Sequence, residues 1–337
     1  MELRTPQVLT DRMAARHTTH QEPCVATALA SPVARVANID RLRIVAAIGI
    51  VWFHTEGAPY RGIGYAGLPI FLLIFFSLIT SHGHRGGTAQ FVKRRWHRLM
   101  VPWLFWSVVY GLCKIAKATC TMDINSLRDM LSVESLLTGT HIHLWYLPYA
   151  FAAGLLIYMV NGWTWGTNNI AVIVAAAVLG AFTLMAHATG VLGDHLMMPL
   201  AQWGFGLAAV PLGFAIGRCM TIPSHDVQRS LLCVIALVML VMCTVLNMTG
   251  YAALSVPYEL ATVLVCAAYA WPSGGNAFVA TVAPLTFGIY LIHPLVGYGL
   301  KQFIAADQHY LAFIVLTVCM SGVVTLGLTK TPLKRFV

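Results

Sequence analysis

The sequence predicts an all-α polytopic membrane protein, and three observations support that fold class. Hydrophobic residues make up 58% of the 337 residues, while charged residues make up only 10%, which is far from the composition of a soluble domain. Apolar runs long enough to cross a bilayer recur along the whole chain. The Lys and Arg residues gather in alternate connections between these runs, as expected of a multi-pass protein.

Ten apolar runs are candidates for membrane-spanning helices, since each has roughly 17 to 21 residues and a helix of about 20 residues crosses a hydrocarbon core. Gly and Pro occur in several of them, which membrane helices tolerate. The predicted spans are 43–60, 64–81, 99–117, 144–161, 169–189, 199–217, 230–248, 255–271, 280–300 and 311–329.

The distribution of cations predicts the orientation. With ten spans and a cytoplasmic N-terminus, residues 1–43, 82–98, 218–229 and 330–337 lie inside and carry 16 of the 21 Lys and Arg. Nine or eleven spans would break this asymmetry. We therefore predict that both termini lie on the cytoplasmic side of the membrane.

The ends and loops complete the predicted organisation. Residues 1–37 are polar, contain no continuous apolar segment and are predicted to be a disordered cytoplasmic tail, followed by one membrane domain over 38–337. The long outer segment 118–143 is predicted to hold a surface helix around Ser126–Leu137.

Membrane lipids are expected partners. Nucleic acid is not, because the basic residues flank spans without an aromatic platform.

The first apolar run carries two ionisable side chains on one face. His54 follows Arg43 by eleven residues, and eleven steps of about 100° return a helix to nearly the same side. The rise between them is roughly 16 Å, about half a hydrocarbon core. Ionisable groups at such depth are costly to place and indicate function. Arg43 and His54 are the predicted catalytic pair, and Asp40 is placed to pair with Arg43.

The chemistry of imidazole defines the predicted role of His54. It can accept a proton from a hydroxyl near neutral pH, or act as the nucleophile itself. Glu56 is predicted to orient His54 if the helix unwinds toward Gly57 and Pro59. The ordinary alternative is a polar histidine bonded to a neighbouring helix, but the stripe shared with Arg43 favours catalysis.

The densest cationic cluster is Lys93-Arg-Arg-Trp-His-Arg98. Arg98 lies three and four residues after Arg95 and Arg94, so the three arginines are predicted to form one helix face. Guanidinium groups bind phosphate through paired hydrogen bonds, which predicts a site for the phosphates of a nucleotide-bearing cofactor. Lipid head groups and topology would explain the same residues.

Two further segments bring histidine into the spans. His143, Trp145, Tyr290 and His293 are predicted to line the substrate site, although an interfacial aromatic belt would also explain Trp145. Tyr290 and His293 share one helix face and could instead pack against the core of the bundle. His141-Ile-His143 lacks a third metal ligand, and the eight cysteines show no metal-binding spacing. No metal is predicted.

Together these motifs resemble the acyltransferase-3 family of integral membrane acyltransferases. Arg43 and His54 look like its Arg-x10-His motif, and Arg95-Trp-His-Arg98 resembles its Arg-x-x-Arg segment. His143-Leu-Trp-Tyr-Leu147 and Phe287-Gly-Ile-Tyr-Leu-Ile-His293 are similar to its later motifs. The sequence departs from the family pattern at Ile74–Thr80, where a Phe-Phe-x-x-Ser-Gly-Phe-like segment is usual.

The resemblance implies transfer of an acyl group, acetyl in the simplest case, from acyl-CoA to a hydroxyl of a cell-surface or exported saccharide. Arg94, Arg95 and Arg98 would hold the phosphates of the donor, Arg43 would lie beside the pantetheine or thioester, and His54 would be the base or a transient acyl carrier.

The alternative from another functional class is a transporter or flippase without covalent chemistry, in which Arg43 and His54 bind substrate or couple transport. Such proteins more often show repeated halves or several intramembrane carboxylates. Here Glu259 is the main carboxylate well inside a span, which disfavours proton-coupled transport.

Overall fold

The computed structural model describes the chain from residue 37 onward, with short gaps. The described residues are 37–82, 87–122, 135–164, 166–167, 169–192, 196–250 and 252–337. The predicted tail over 1–37 lies outside them apart from its last residue. Most of the predicted surface helix Ser126–Leu137 also lies outside, and the chain resumes there in a single helical turn, Ser135–Thr138.

Every regular element among the described residues is helical. The α-helices are α1 (Ala37–His54), α2 (Arg61–Gly64), α3 (Gly67–Ser81), α4 (Thr88–Arg95), α5 (Val101–Thr121), α6 (Ser135–Thr138), α7 (Tyr146–Trp163), α8 (Asn169–Ala188), α9 (Leu200–Leu207), α10 (Ala209–Cys219), α11 (His225–Met248), α12 (Ala252–Ala270), α13 (Ala277–Val282), α14 (Thr286–Leu300) and α15 (Tyr310–Thr329). A π-helix, Trp96–Met100, joins α4 to α5, and short 3₁₀-helices cover Ile142–Trp145, Ala283–Leu285 and Pro332–Phe336.

The described residues contain eight helical segments long and apolar enough to cross a membrane. The prediction of an all-α polytopic membrane protein is therefore confirmed. Two further predicted spans fall on α1, which carries Asp40, Arg41 and Arg43, and on the shorter apolar helix Ser255–Ala270. The count of ten spans and the cytoplasmic termini stay predictions.

The first span differs most from its predicted bounds. It covers Ala37–His54 instead of 43–60, because Gly57 adopts a left-handed φ of +73° that is incompatible with a continuing helix and Pro59 follows two residues later. Arg43 consequently lies inside the helix, more than one turn from its beginning. His54 becomes the last helical residue.

Close helix packing builds the core around α3 and α10. Leu72, Leu73 and Phe76 of α3 are fully buried. Gly213 and Gly217 of α10 stand four residues apart, and an added Cβ would come within 2.6 Å of Phe76 at the first and 2.5 Å of Ser77 at the second. Small residues at this spacing let membrane helices approach closely. This pair forms one side of the framework around α1, because α3 packs directly against α1.

Candidate active site

A large cavity opens beside the first half of α1, and we name it the arginine cavity. Its volume is about 640 Å³, within the range of small-molecule sites. Its basic side chains come from α1, the segment before α5 and the segment after α15, namely Arg43, Arg95, His97, Arg98, Lys334 and Arg335. Its remaining surface is mainly apolar or aromatic and includes Ile50, Phe71, Ile74, Phe75, Leu78, Tyr146, Phe287 and Tyr290.

A second, smaller cavity lies at the other end of α1, and we name it the histidine cavity. Its volume is about 280 Å³. Four imidazoles line it, those of His54, His141, His143 and His293. The rest of its polar lining comes from Thr55, Glu56, Tyr298, Lys301 and Thr317.

The two cavities meet along the same two helices. On α1 the boundary falls between Ile50, which lines the arginine cavity, and Val51, which lines the histidine cavity. On α14 it falls between Tyr290 and His293, a separation of roughly 5 Å along the helix axis. About one layer of side chains therefore separates the two cavities.

Arg43 is the basic group that α1 itself contributes to the arginine cavity. Its guanidinium Nη1 lies 3.5 Å from Asp40 Oδ1, as the spacing of three residues predicts. The side chain is half-buried. Since this ion pair involves one guanidinium nitrogen, the other N–H groups can donate to a ligand in the cavity.

The cationic segment before α5 contributes two of its three predicted arginines. Arg95 is half-buried, with its guanidinium 5.0 Å from the centre of the Phe75 ring and 5.3 Å from that of Phe91, and Arg98 lines the cavity nearby. Arg94 does not line the cavity and is exposed. The predicted face of three arginines is therefore wrong for Arg94. Adjacent helical residues point about 100° apart, so Arg94 points away from the cavity when Arg95 packs on Phe75.

The sequence interpretation missed Lys334 and Arg335. The 3₁₀-helix that carries them folds against α5, where Trp106 Nε1 donates to Phe336 O at 2.9 Å and the Phe105 and Phe336 rings stack 4.2 Å apart. Both cations consequently line the arginine cavity. Their only signal in the sequence was a basic pair after the last apolar run, which topology alone explains.

His54 is exposed to the histidine cavity, with its ring centre 5.4 Å from that of His293. Glu56 does not orient it. The Glu56 carboxylate accepts a hydrogen bond from Lys301 Nζ at 2.8 Å, because the chain turns sharply at Gly57 and directs Glu56 toward the end of α14. Lys301 also lowers the pKa of the Glu56 carboxyl below its usual range.

Three of the four predicted substrate residues line the cavities. His143 and His293 are buried beside the histidine cavity, and Tyr290 lines the arginine cavity while its hydroxyl donates to the His143 carbonyl. Trp145 lines neither cavity and packs against Tyr149 with ring centres 5.7 Å apart. A 3₁₀-helix turns about 120° per residue, so Trp145 points to the core when His143 points to the cavity.

His141 lines the histidine cavity and immediately precedes the 3₁₀-helix Ile142–Trp145. Its Nδ1 lies 2.6 Å from Nδ1 of His143. Burial, followed by the charges of Lys114 and His54, lowers the pKa of His141 to about 4. His141 is therefore neutral near pH 7. Among the described residues, no three His, Cys, Asp or Glu side chains are arranged to hold a metal ion.

Fold and cavities together define a polytopic helical membrane protein whose first helix contributes to both a cationic cavity and an imidazole-lined one. Residues 36–329 match the model of the Acyl_transf_3 family, described as an acyltransferase domain. The chain belongs to this family and is a membrane acyltransferase, which confirms the resemblance seen in the motifs. No curated protein and no solved structure matches the chain. Residues 330–337, with Lys334 and Arg335, lie beyond the match.

Proposed function

We propose that the protein transfers a short acyl group, acetyl in the simplest case, from acyl-CoA in the arginine cavity to a saccharide hydroxyl in the histidine cavity. The acceptor is a lipid-linked or exported glycan, and the membrane is the inner one. The observation that carries the proposal is that Arg43 and His54, on one helix, each line one of two cavities separated by a single layer of side chains.

The charge of the arginine cavity suits acyl-CoA. Coenzyme A carries a 3′-phosphate and a diphosphate, and the cavity presents six basic side chains with no Asp or Glu among the described residues that line it. Guanidinium groups such as that of Arg98 bind phosphate oxygens in pairs. The apolar part of the cavity, between Phe71 and Leu78, suits the pantetheine arm.

The position of Arg43 limits how the donor is placed. About 16 Å separates Arg43 from His54 along α1, so a thioester acted on by His54 lies well beyond Arg43. Arg43 consequently lies beside the pantetheine arm, while the acyl end reaches the layer formed by Ile50, Tyr146 and Tyr290. A layer this thin favours a short acyl chain.

The histidine cavity suits a small polyhydroxylated acceptor. Its volume lies just below the usual range for ligand pockets, and imidazole, hydroxyl, ammonium and carboxylate groups line it. Such a lining offers both donors and acceptors to sugar hydroxyls. We therefore expect one sugar unit to enter the cavity while the remainder of the glycan stays outside it.

The reaction joins the acceptor oxygen to the acyl carbon and breaks the bond between that carbon and sulfur. His54 either removes the hydroxyl proton as the oxygen attacks, or first accepts the acyl group on a ring nitrogen and passes it to the hydroxyl. In both routes the sulfur leaves as a thiolate on the side of the arginine cavity. Acyl transfer to a saccharide then needs no passage of the whole donor or acceptor across the membrane.

The test uses purified, reconstituted protein with acetyl-CoA labelled in the acetyl group and cell-envelope glycan as acceptor. We expect CoA release and labelled glycan with the wild type, both lost in His54→Ala. The exposed His225→Ala, outside both cavities, is the matched control. Label retained on the wild-type protein but absent from His54→Ala would identify acyl-histidine. No CoA release from acetyl-CoA or longer acyl-CoAs would overturn the proposal and favour transport.

A further inference from the structure

A row of imidazoles leads from His54 along the wall of the histidine cavity to the half-buried His141. The ring centres of His54 and His293 are 5.4 Å apart, and those of His293 and His143 are 5.8 Å apart. His143 then contacts His141 through the two Nδ1 atoms at 2.6 Å. His293 and His143 are buried, whereas His141 is only half-buried. The row therefore runs from the reaction site along the wall of the space where an acceptor binds and ends at a partly exposed imidazole.

The hydrogen bonds of these rings leave them ready to pass a proton. Two ring nitrogens 2.6 Å apart must share one proton, with one nitrogen donating and the other accepting. His293 Nδ1 donates to the Tyr290 carbonyl at 2.8 Å, which leaves Nε2 with its lone pair. Nε2 of His293 and Nε2 of His143 have no hydrogen-bond partner among the described residues and are shielded from solvent.

An acceptor in the histidine cavity makes such a path necessary. A sugar unit that fills about 280 Å³ displaces the water through which His54 could otherwise lose its proton. The buried rings of His293 and His143 lie on the protein side of that space. His141, which is neutral near pH 7, can release a proton to water as soon as it receives one.

The opposite direction offers no comparable path. The Tyr290 hydroxyl is committed to the His143 carbonyl, and beyond it the layer continues with Ile50 and Tyr146. Among the described residues that line the arginine cavity, the only imidazole is His97, which lies in the π-helix before α5. The titratable groups nearest to His54 therefore lead a proton toward His141, and no similarly continuous row of imidazoles leads toward the arginine cavity.

The other polar groups that face this row of histidines are tyrosines and lysines, and we expect none of them to accept the proton in place of a histidine. Tyr110 of α5 contacts both His141 and His143, with ring centres 4.8 Å and 5.0 Å away, and its hydroxyl donates to the Leu291 carbonyl. Tyr298 of α14 lies 6.2 Å from His141. Lys301 is paired with Glu56. Lys114 places a positive charge near His141 and favours release of its proton.

We propose that His293, His143 and His141 conduct the acceptor proton out of the histidine cavity, so that each acyl transfer takes up one proton beside the arginine cavity and releases one on the other side. The balance holds for both routes of acyl transfer, because the thiolate is protonated on one side and the hydroxyl loses its proton on the other. The net result is one positive charge moved across the membrane for each acyl group, an inference that rests on the proposed function.

Proteoliposomes test the direction of proton release. Labelled acetyl-CoA is added outside, a mixture of methyl glycosides and a pH-sensitive dye are trapped inside, and valinomycin with potassium removes any membrane potential. We expect one lumenal proton for each labelled sugar, and slower transfer without valinomycin. Labelled sugar without lumenal acidification would overturn the proton path alone. The absence of both CoA release and labelled sugar would overturn the proposed function and, with it, this inference.

His141→Gln tests the path itself, because His141 is half-buried and its replacement leaves the core intact. We expect turnover to fall by about 10²-fold, the lower end of the range for loss of a proton-transfer group, and to recover when imidazole is added. A larger solvent deuterium isotope effect should accompany the fall. The exposed His309→Gln is the control. Wild-type turnover in His141→Gln, or reduced turnover that imidazole does not restore, would overturn the assignment.

Discussion

The arginine and histidine cavities share α1 and α14 but differ in size and chemistry. The first measures about 640 Å³ and its charged lining is entirely basic, whereas the second measures about 280 Å³ and combines imidazoles with Lys301 and Glu56. A large basic cavity recognises an anion by its total charge. A small cavity of mixed polarity orients hydroxyl groups and moves protons. The comparison predicts that variants in one cavity affect donor binding and variants in the other affect the chemical step.

The largest expected effect follows from removing His54. His54→Ala should lower the rate of acyl transfer by about 10²- to 10⁴-fold, the range for loss of a general base, because the imidazole is the titratable group that α1 presents to the histidine cavity. Binding of CoA should stay within twofold of the wild type, since His54 does not line the arginine cavity. Stopped-flow CoA release and equilibrium CoA binding measure the two effects. An equal loss of CoA binding would contradict the division between cavities.

The next effect separates two neighbouring arginines. Arg98→Gln should raise KM for acyl-CoA by about 10- to 100-fold, because charge-assisted hydrogen bonds contribute about 1.5 to 3 kcal/mol each. Arg94→Gln is the matched control, since Arg94 is also exposed but does not line the cavity. We expect it to change KM by less than twofold. Similar KM values for the two variants would contradict this difference and would support the sequence prediction that Arg94 and Arg98 both bind the donor.

A smaller effect tests the basic pair beyond the family match. Lys334→Gln with Arg335→Gln should raise KM for acyl-CoA by about tenfold, and should reduce its dependence on ionic strength because two screened cations are removed. Lys330→Gln, an exposed cation that does not line the cavity, provides the control. Titrations with CoA at low and high salt measure both. Unchanged salt dependence in the double variant would remove these residues from the donor site.

The smallest effect concerns the ion pair at the rim of the histidine cavity. Glu56→Gln should raise KM for the acceptor by less than about threefold, because exposed ion pairs are weak. Lys301 holds the pKa of Glu56 below its usual range, so the pair is present at neutral pH and is lost as pH falls through that lowered value. Wild type and Glu56→Gln should therefore differ near pH 7 and converge in acid. A difference that grows in acid would contradict this origin.

The site residues predicted from the sequence fall into two groups. The direction of some is set within a single helix, and the direction of others depends on the residues that they contact. Arg43 and His54 share a stripe because helix periodicity alone sets their relative direction, and the structure places each in a cavity. Trp145 and Glu56 were assigned from their sequence neighbours. Glu56 turned elsewhere because its partner, Lys301, lies far along the chain. Trp145 turned into the core, against Tyr149, because it lies in a 3₁₀-helix whose turn per residue differs from that of an α-helix.

The sequence by itself determined the class of fold and the pair of groups on α1. Long apolar runs require helices in a membrane because the backbone must satisfy its own hydrogen bonds there, and a single helix fixes the relation between residues within it. Only the tertiary structure decided that Lys334 and Arg335 join Arg98, and that four imidazoles from three separate segments share one small cavity. Those relations depend on the packing of elements up to about 240 residues apart, which no local periodicity encodes.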